Sequence, residues 1–178
     1  MRTLIIHPDD RSTDFLRGIY AILSEYTLIT QGRLEEVNSL INSHDRIIMC
    51  GHGTELGLLS VNQFDSGSYI IDIDTVPLLK GKDCIYIWCN ADKFVHKHKL
   101  KGLFSGMFVS EIIESIVMGI GLVDQKVVDQ SNAYFASLMG DKIHMNLSDL
   151  YHYILAEYQK FALTNIIADY NVKRIYFE

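Results

Sequence analysis

Two runs in this chain are apolar at almost every position and then stop on a polar turn. The first is Arg46-Ile-Ile-Met-Cys50, followed by Gly51-His-Gly53; the second is Asp83-Cys-Ile-Tyr-Ile-Trp88, followed by Cys89-Asn-Ala-Asp92. A strand with no polar face has to be buried on both sides, which is the situation of a strand in a parallel sheet. Parallel neighbours in turn require crossover connections, usually helices, and those crossovers are right-handed. The segments around the first run supply them. Thr3–His7 reads as a strand, about Thr13–Glu25 as a helix with Phe15, Leu16, Ile19, Tyr20 and Leu23 on one face, and Tyr26–Thr30 as a second strand. Leu34–Ser43 reads as a second helix with Leu34, Val37, Leu40 and Ile41 inward. The order β-α-β-α-β predicts an α/β fold: an open, mostly parallel sheet with helices on both faces.

Past Thr54 the rhythm changes. Leu56–Ser60 and Ser68–Ile73 flank the polar turn Asn62-Gln-Phe-Asp-Ser-Gly67 and read as a small hairpin. A short helix follows to Leu79, then the second apolar run as strand four (Asp83–Cys89), a helical piece near Asp92–His98, and Gly102–Val109 as strand five. The last third reads as helical, with Lys126–Met139, Leu147–Tyr158 and Asn165–Tyr170, and Arg174–Phe177 closes the chain as an edge strand or a docked tail. At 178 residues, with 48% hydrophobic residues and only two prolines, residues 1–178 are expected to form one folded domain.

Sixteen basic against 22 acidic residues leave a net charge of -6. With the basic residues forming no long run, this argues against a nucleic-acid partner. No stretch approaches the roughly 18 consecutive apolar residues of a membrane span, and the N-terminal Met1–His7 is too short for a signal peptide core, so a cytoplasmic protein is expected. Cys50, Cys84 and Cys89 are odd in number and include no Cys-x-x-Cys pair, so neither a disulfide framework nor a zinc site is expected. His96 and His98, two apart, do not share a helical face. No phosphate-loop pattern occurs, and no cofactor is expected.

Chemistry in open α/β sheets sits at the carboxyl ends of the strands. The polar residues placed there are His7, Asp9 and Asp10 after strand one, His52 and Gly53 after strand three, Cys89, Asn90 and Asp92 after strand four, and Ser110 and Glu111 after strand five. A cysteine attacks as its thiolate, and a neighbouring histidine raises that fraction and later protonates the leaving group. The backbone N–H groups of Gly53 and Cys89 are natural oxyanion donors. Asp9, Asn90, Ser110 and Glu111 are candidates for gripping substrate. Simpler accounts stand beside these. Asp9 and Asp10 suit a helix cap, Ser110 suits the N-cap and Glu111 the first turn of the next helix, and Cys89 and His52 could be a buried thiol and a loop histidine.

Ile47-Ile-Met-Cys-Gly-His-Gly53 and Ile85-Tyr-Ile-Trp-Cys-Asn-Ala91 together resemble the signature of caspase-like cysteine peptidases, the clan that includes caspases, gingipains, separase and CHAT domains. Its members carry an apolar strand ending in His-Gly and a later one ending in the nucleophilic cysteine. The resemblance implies a caspase-like α/β fold and a cysteine hydrolase, in this clan a peptidase, acting on a peptide or protein. It implies His52 as the general base or acid, Cys89 as nucleophile and Gly53 as an oxyanion donor. The Gln-Ala-Cys-x-Gly form of the caspases is absent, Ile-Trp-Cys-Asn-Ala standing in its place. The chain also resembles small bacterial proteins with Gly-His-Gly, Trp-Cys-Asn-Ala-Asp and Ser-Gly-Met-Phe segments. Two other readings compete. One is a non-catalytic α/β domain binding a small molecule or protein at the same rim. The other, a phosphate-ester or nucleoside enzyme, would have only His7-Pro-Asp-Asp10 to work with.

Overall fold

The computed structural model describes residues 1–178 and divides into two compact units. The first comprises Met1–Asp14, Ser24–Gly106 and Tyr176–Glu178. It holds the strands β1 (Thr3–Ile6), β2 (Thr27–Ile29) and β3 (Arg46–Cys50), then the small strands β4 (Gly53–Thr54), β5 (Gly57–Leu59) and β6 (Tyr69–Ile71). The strands β7 (Asp83–Ile87) and β8 (Leu103–Ser105) follow, and β9 (Ile175–Phe177), all but its first residue, returns at the chain's end. Its helices are α1 (Leu34–Ser43), α2 (Val76–Leu79) and α3 (Ala91–His98).

The main sheet runs β2-β1-β3-β7-β8-β9, and the pairs among its first five strands are all parallel. Gly102 and Glu178 exchange both backbone N–H···O bonds, at 3.0 and 3.1 Å. That reciprocal exchange is an antiparallel pattern, so β9 joins as an antiparallel edge strand. The mostly parallel α/β architecture is thus as the apolar runs predict. On one face, Leu4 and Ile6, Ile47 and Met49, Cys84 and Tyr86 pack with Val37 and Ile41 of α1, Val76 and Leu79 of α2, and Phe94 and Val95 of α3. The alternate residues Ile5, Ile48, Cys50, Ile85 and Leu103 are buried as well, so the inner strands β1, β3, β7 and β8 have no wet face. The expected hairpin is present as an antiparallel sheet in which β5 lies between β4 and β6.

The second unit comprises Phe15–Leu23 and Met107–Ile175, with helices α4 (Ile112–Val117), α5 (Gln125–Asp141), α6 (Leu147–Ala162) and α7 (Ile166–Val172). Asp124, Asn146 and Asn165 cap α5, α6 and α7 by accepting backbone N–H groups, as N-cap side chains do. The Asn171 amide clamps the backbone of Val109, donating to its carbonyl and accepting from its N–H, both at 2.8 Å. Tyr158, fully buried, satisfies its hydroxyl on Ser131 at 2.7 Å.

Two sequence expectations need correction. The first helix is a 3-10 helix over Arg11–Ile19 rather than an α-helix to Glu25. Its buried residues are Thr13, Leu16 and Ile19, a spacing of three that suits the tighter helix. Strand five ends at Ser105, not Val109. There the chain turns to other partners: the Ser105 side-chain hydroxyl donates to the Trp88 carbonyl at 2.9 Å, and the Gly106 carbonyl accepts the Asn90 N–H at 3.1 Å.

Candidate functional site

In β3 and β7 the paired register runs from Arg46 opposite Asp83 to Cys50 opposite Ile87. The Gly51 N–H extends the ladder by donating to the Ile87 carbonyl at 3.1 Å. His52 and Cys89 therefore each stand two residues beyond a matched pair, at the same end of neighbouring parallel strands. The tip of β1, His7–Asp10, leaves the sheet at this end too, beside β3. Three of the expected strand endings thus share one rim. Ser110 and Glu111 do not follow strand five directly, because β8 stops at Ser105, and they belong to the second unit.

Local backbone explains how each tip turns. Gly51 has φ +142°, which a side chain would strain, and a Cβ there would also press on Leu58 at 3.3 Å. Gly53 does not need a positive φ. A Cβ at 53 would instead overlap the Trp88 indole and the Gly57 carbonyl. The glycine is thus needed for packing: Trp88, whose indole N–H donates to the Thr54 carbonyl at 3.1 Å, fills the space that a Cβ would take. The His52 carbonyl accepts the Leu59 N–H at 2.8 Å, so the β4–β5 ladder bonds at His52 and then skips Gly53. In such an alternating ladder the Gly53 N–H points away from β5. Asn90 is the residue that lets the chain turn into α3. It holds a left-handed conformation at φ 65°, ψ 26°, which asparagine tolerates better than most residues.

His52 is half-buried, its side chain 35% exposed. Its Nε2 lies 2.6 Å from the Ser12 hydroxyl and 3.8 Å from Asp10 Oδ1. Ser12 also donates to Asp10 Oδ1 twice, through its hydroxyl at 2.6 Å and its backbone N–H at 2.9 Å. These two hydrogen bonds, the hydroxyl's foremost, hold the Asp10 carboxyl below the usual carboxylate range, with a further contribution from His52. Asp10 is the helix cap that its position predicts, and its carbonyl also accepts the Thr13 N–H at 3.0 Å. Asp9 is exposed beside it, and its N–H donates to Thr30 at the tip of β2.

Ser12 is the residue that sequence reasoning missed. It stands two residues after a capping aspartate, which reads as a local turn hydroxyl. Nothing in the chain around it announces a partner 40 positions away.

The three thiols differ sharply. Cys50 and Cys84 are buried in the sheet. Burial pushes the Cys84 thiol up to about 12 and raises that of Cys50 as well. Cys89 is partly exposed at the rim, one residue before the cap of α3. In the second unit, Glu114 folds back on the start of α4. Its Oε2 accepts from the Ser110 N–H at 2.7 Å, the Ser110 hydroxyl at 3.1 Å and the Glu111 N–H at 3.0 Å. Glu111 closes the reciprocal capping box. The N-cap is therefore Glu111 rather than the serine that residue type favours, and Ser110 stands one residue outside the helix as a donor to Glu114.

No group of three or more His, Cys, Asp or Glu side chains converges as metal ligands, and no helix is long and apolar enough to cross a membrane. No known family profile and no curated protein matches the sequence. Among solved structures the chain is similar to a flavone reductase, at 12% identity and a TM-score of 0.39, over 80% of this chain and 62% of that one. The chain spans less than two thirds of that protein's length, and so slight a likeness carries no argument about fold or function.

Proposed function

We propose that this protein is a cysteine hydrolase, a peptidase in substrate class, with Cys89 as nucleophile and His52 as its acid–base partner. The observation that carries the reading is the matched register: both residues lie two positions past the paired Cys50 and Ile87, at one end of adjacent strands. Neighbouring strands are about 4.8 Å apart, so groups leaving them in step can meet. Support also comes from accessibility, since Cys89 is the one cysteine that is not buried. The helix that starts just beyond it adds a positive dipole end, which favours a thiolate.

In this reading the Cys89 thiol gives its proton to His52, and the thiolate sulfur bonds to the scissile carbonyl carbon. The Gly53 and Cys89 N–H groups receive the oxyanion. Collapse breaks the C–N bond as His52 returns the proton to the departing amine. Water, deprotonated by His52, then attacks the thioester, releasing the acid and restoring the thiol.

The test is alkylation with iodoacetamide and with a peptidyl acyloxymethyl ketone, read by intact mass and peptide mapping. The reading expects one adduct per native chain, on Cys89, formed about tenfold more slowly after His52→Ala, because an unassisted thiol is only a few per cent ionised at neutral pH. An inert Cys89, or one indifferent to His52→Ala, overturns it.

A second reading has its own support. The main strands run in the order β2-β1-β3-β7-β8, which reverses direction between β1 and β3. Open α/β sheets bind ligands at such a switch point. The Ser12–His52 hydrogen bond lies between the tips of these two strands. A non-catalytic domain that binds a small molecule or a partner protein there would be stabilised by reversible ligands and would form no covalent adduct.

A further inference from the structure

We infer that Asp10 and Ser12 are positioning residues that fix the tautomer of His52, placing its proton on Nε2 and leaving Nδ1 as the basic nitrogen. The argument is one of hydrogen counting. The Ser12 hydroxyl has one proton and two short contacts, 2.6 Å to Asp10 Oδ1 and 2.6 Å to His52 Nε2. Asp10 is held in its ionised form, and a carboxylate only accepts. If Ser12 gave its proton to the ring, two lone-pair oxygens would face each other at 2.6 Å with no hydrogen between them. The hydroxyl proton therefore goes to Asp10, and Ser12 accepts from Nε2–H.

The backbone keeps the pair in place. The Ser12 N–H binds the same Oδ1 at 2.9 Å, so the Asp10 carboxylate is anchored before the histidine is considered. The next residue repeats the device. Thr13 gives its hydroxyl proton to the Asp10 carbonyl at 3.0 Å, so it too must accept from a ring, the buried His7, whose Nε2 lies 3.1 Å away. One turn of 3-10 helix at the end of β1 thus orients two histidines in the same sense, one inside and one at the rim. In the hydrolase reading, on which only this last step rests, Nδ1 is the nitrogen that takes the Cys89 proton. Nε2–H stays bonded to Ser12, and Asp10, 3.8 Å from that nitrogen, stabilises the imidazolium that forms.

Long-range ¹H–¹⁵N correlation spectra of the full chain test this directly, at a pH where His52 is neutral. The expected result is His52 protonated on Nε2, with Ser12→Ala shifting part of the population to Nδ1–H and Ser12→Thr, which keeps the hydroxyl, restoring the wild-type pattern. His7 is the internal control and should not respond to Ser12→Ala. Cys89 alkylation at neutral pH should slow severalfold in Ser12→Ala and recover in Ser12→Thr. A proton on Nδ1 in the wild type, or a tautomer balance unchanged by Ser12→Ala, overturns the inference. The two proposals fail separately. If the tautomer follows Ser12 while Cys89 ignores His52→Ala, the positioning role stands and the hydrolase reading falls. If Cys89 depends on His52 but the proton sits on Nδ1, the reverse holds.

Discussion

The two ends of the first unit's parallel sheet both carry polar groups and use them in opposite ways. At the amino end, charges close on one another. Arg46, its side chain 3% exposed, sits opposite Asp83 in the register and donates to it through Nε at 2.7 Å and a terminal nitrogen at 2.6 Å. Lys82 spends its ammonium on the His44 carbonyl, and Asp45 accepts the Arg2 N–H at 2.8 Å. At the carboxyl end, the polar groups form a chain that leads outward, from Asp10 through Ser12 to the half-exposed ring of His52. The backbone there is held in special conformations at Gly51 and Asn90. Pairing that closes on itself stabilises. Polar groups arranged in series, ending in solvent, leave one member able to react.

The sharpest way to break this comparison is Asp83→Ala. It removes the carboxylate to which the buried Arg46 donates twice, at an expected cost of about 2–3 kcal/mol in urea unfolding. Cys89 reactivity below the unfolding transition should be unchanged; a large loss of reactivity would show that the two ends are not separable. Next comes alkaline titration of stability. Cys50 and Cys84, and the phenols of Tyr86 and Tyr158, ionise less readily folded than unfolded, because burial disfavours the charge. Groups with raised pKa values contribute full stability below the unfolded value and lose it as pH rises. Each thiol should therefore withdraw about 1.4 kcal/mol per pH unit from about pH 8.5 upward. Cys89→Ser should leave that slope nearly intact, and a flat profile in chemical denaturation would contradict the burial assigned to Cys50 and Cys84.

Gly53→Ala should cost about 1–3 kcal/mol, since its Cβ overlaps the Trp88 indole. Thermal unfolding reads this, and Trp88 fluorescence should shift with it. The smallest effect belongs to His52→Ala. A half-exposed ring held by one hydroxyl should change stability by no more than about 0.5 kcal/mol while slowing Cys89 alkylation about tenfold. A stability loss as large as that of Asp83→Ala would make His52 a structural residue and erase the contrast between the two ends.

Legibility in the sequence followed burial. Helix α1 and strand β3 fall on the boundaries that periodicity predicts, Leu34–Ser43 and Arg46–Cys50, because each buries a repeating pattern against the same core. The 3-10 helix was harder to see. Phe15, Leu16, Ile19, Tyr20 and Leu23 fit a 3.6-residue period, and only the burial of Thr13, Leu16 and Ile19 reveals a period of three. At the site, His52 and Cys89 were legible as strand endings, and Asp10 as a cap. Ser12 was not, because a serine after an aspartate looks the same whether its hydroxyl serves its own turn or a ring on another strand. Gly53 was legible as a constrained position, but its constraint comes from Trp88, which only the packed structure brings against it.

By itself the sequence determined the parallel α/β character, because continuous apolar strands alternating with amphipathic helices can bury their surface in few other ways. It also placed His7, His52 and Cys89 just past the apolar runs of strands one, three and four, since those runs are local features of the chain. Tertiary structure decided which of those residues meet. The register of β3 against β7 puts His52 and Cys89 in step, and the adjacency of β1 and β3 gives Ser12 to His52. The early stop of β8 at Ser105 leaves Glu111 to cap α4, with Ser110 just outside the helix donating to Glu114. The physical reason is that local propensity acts over a few residues, whereas a hydrogen bond across 40 positions exists only after the sheet has closed.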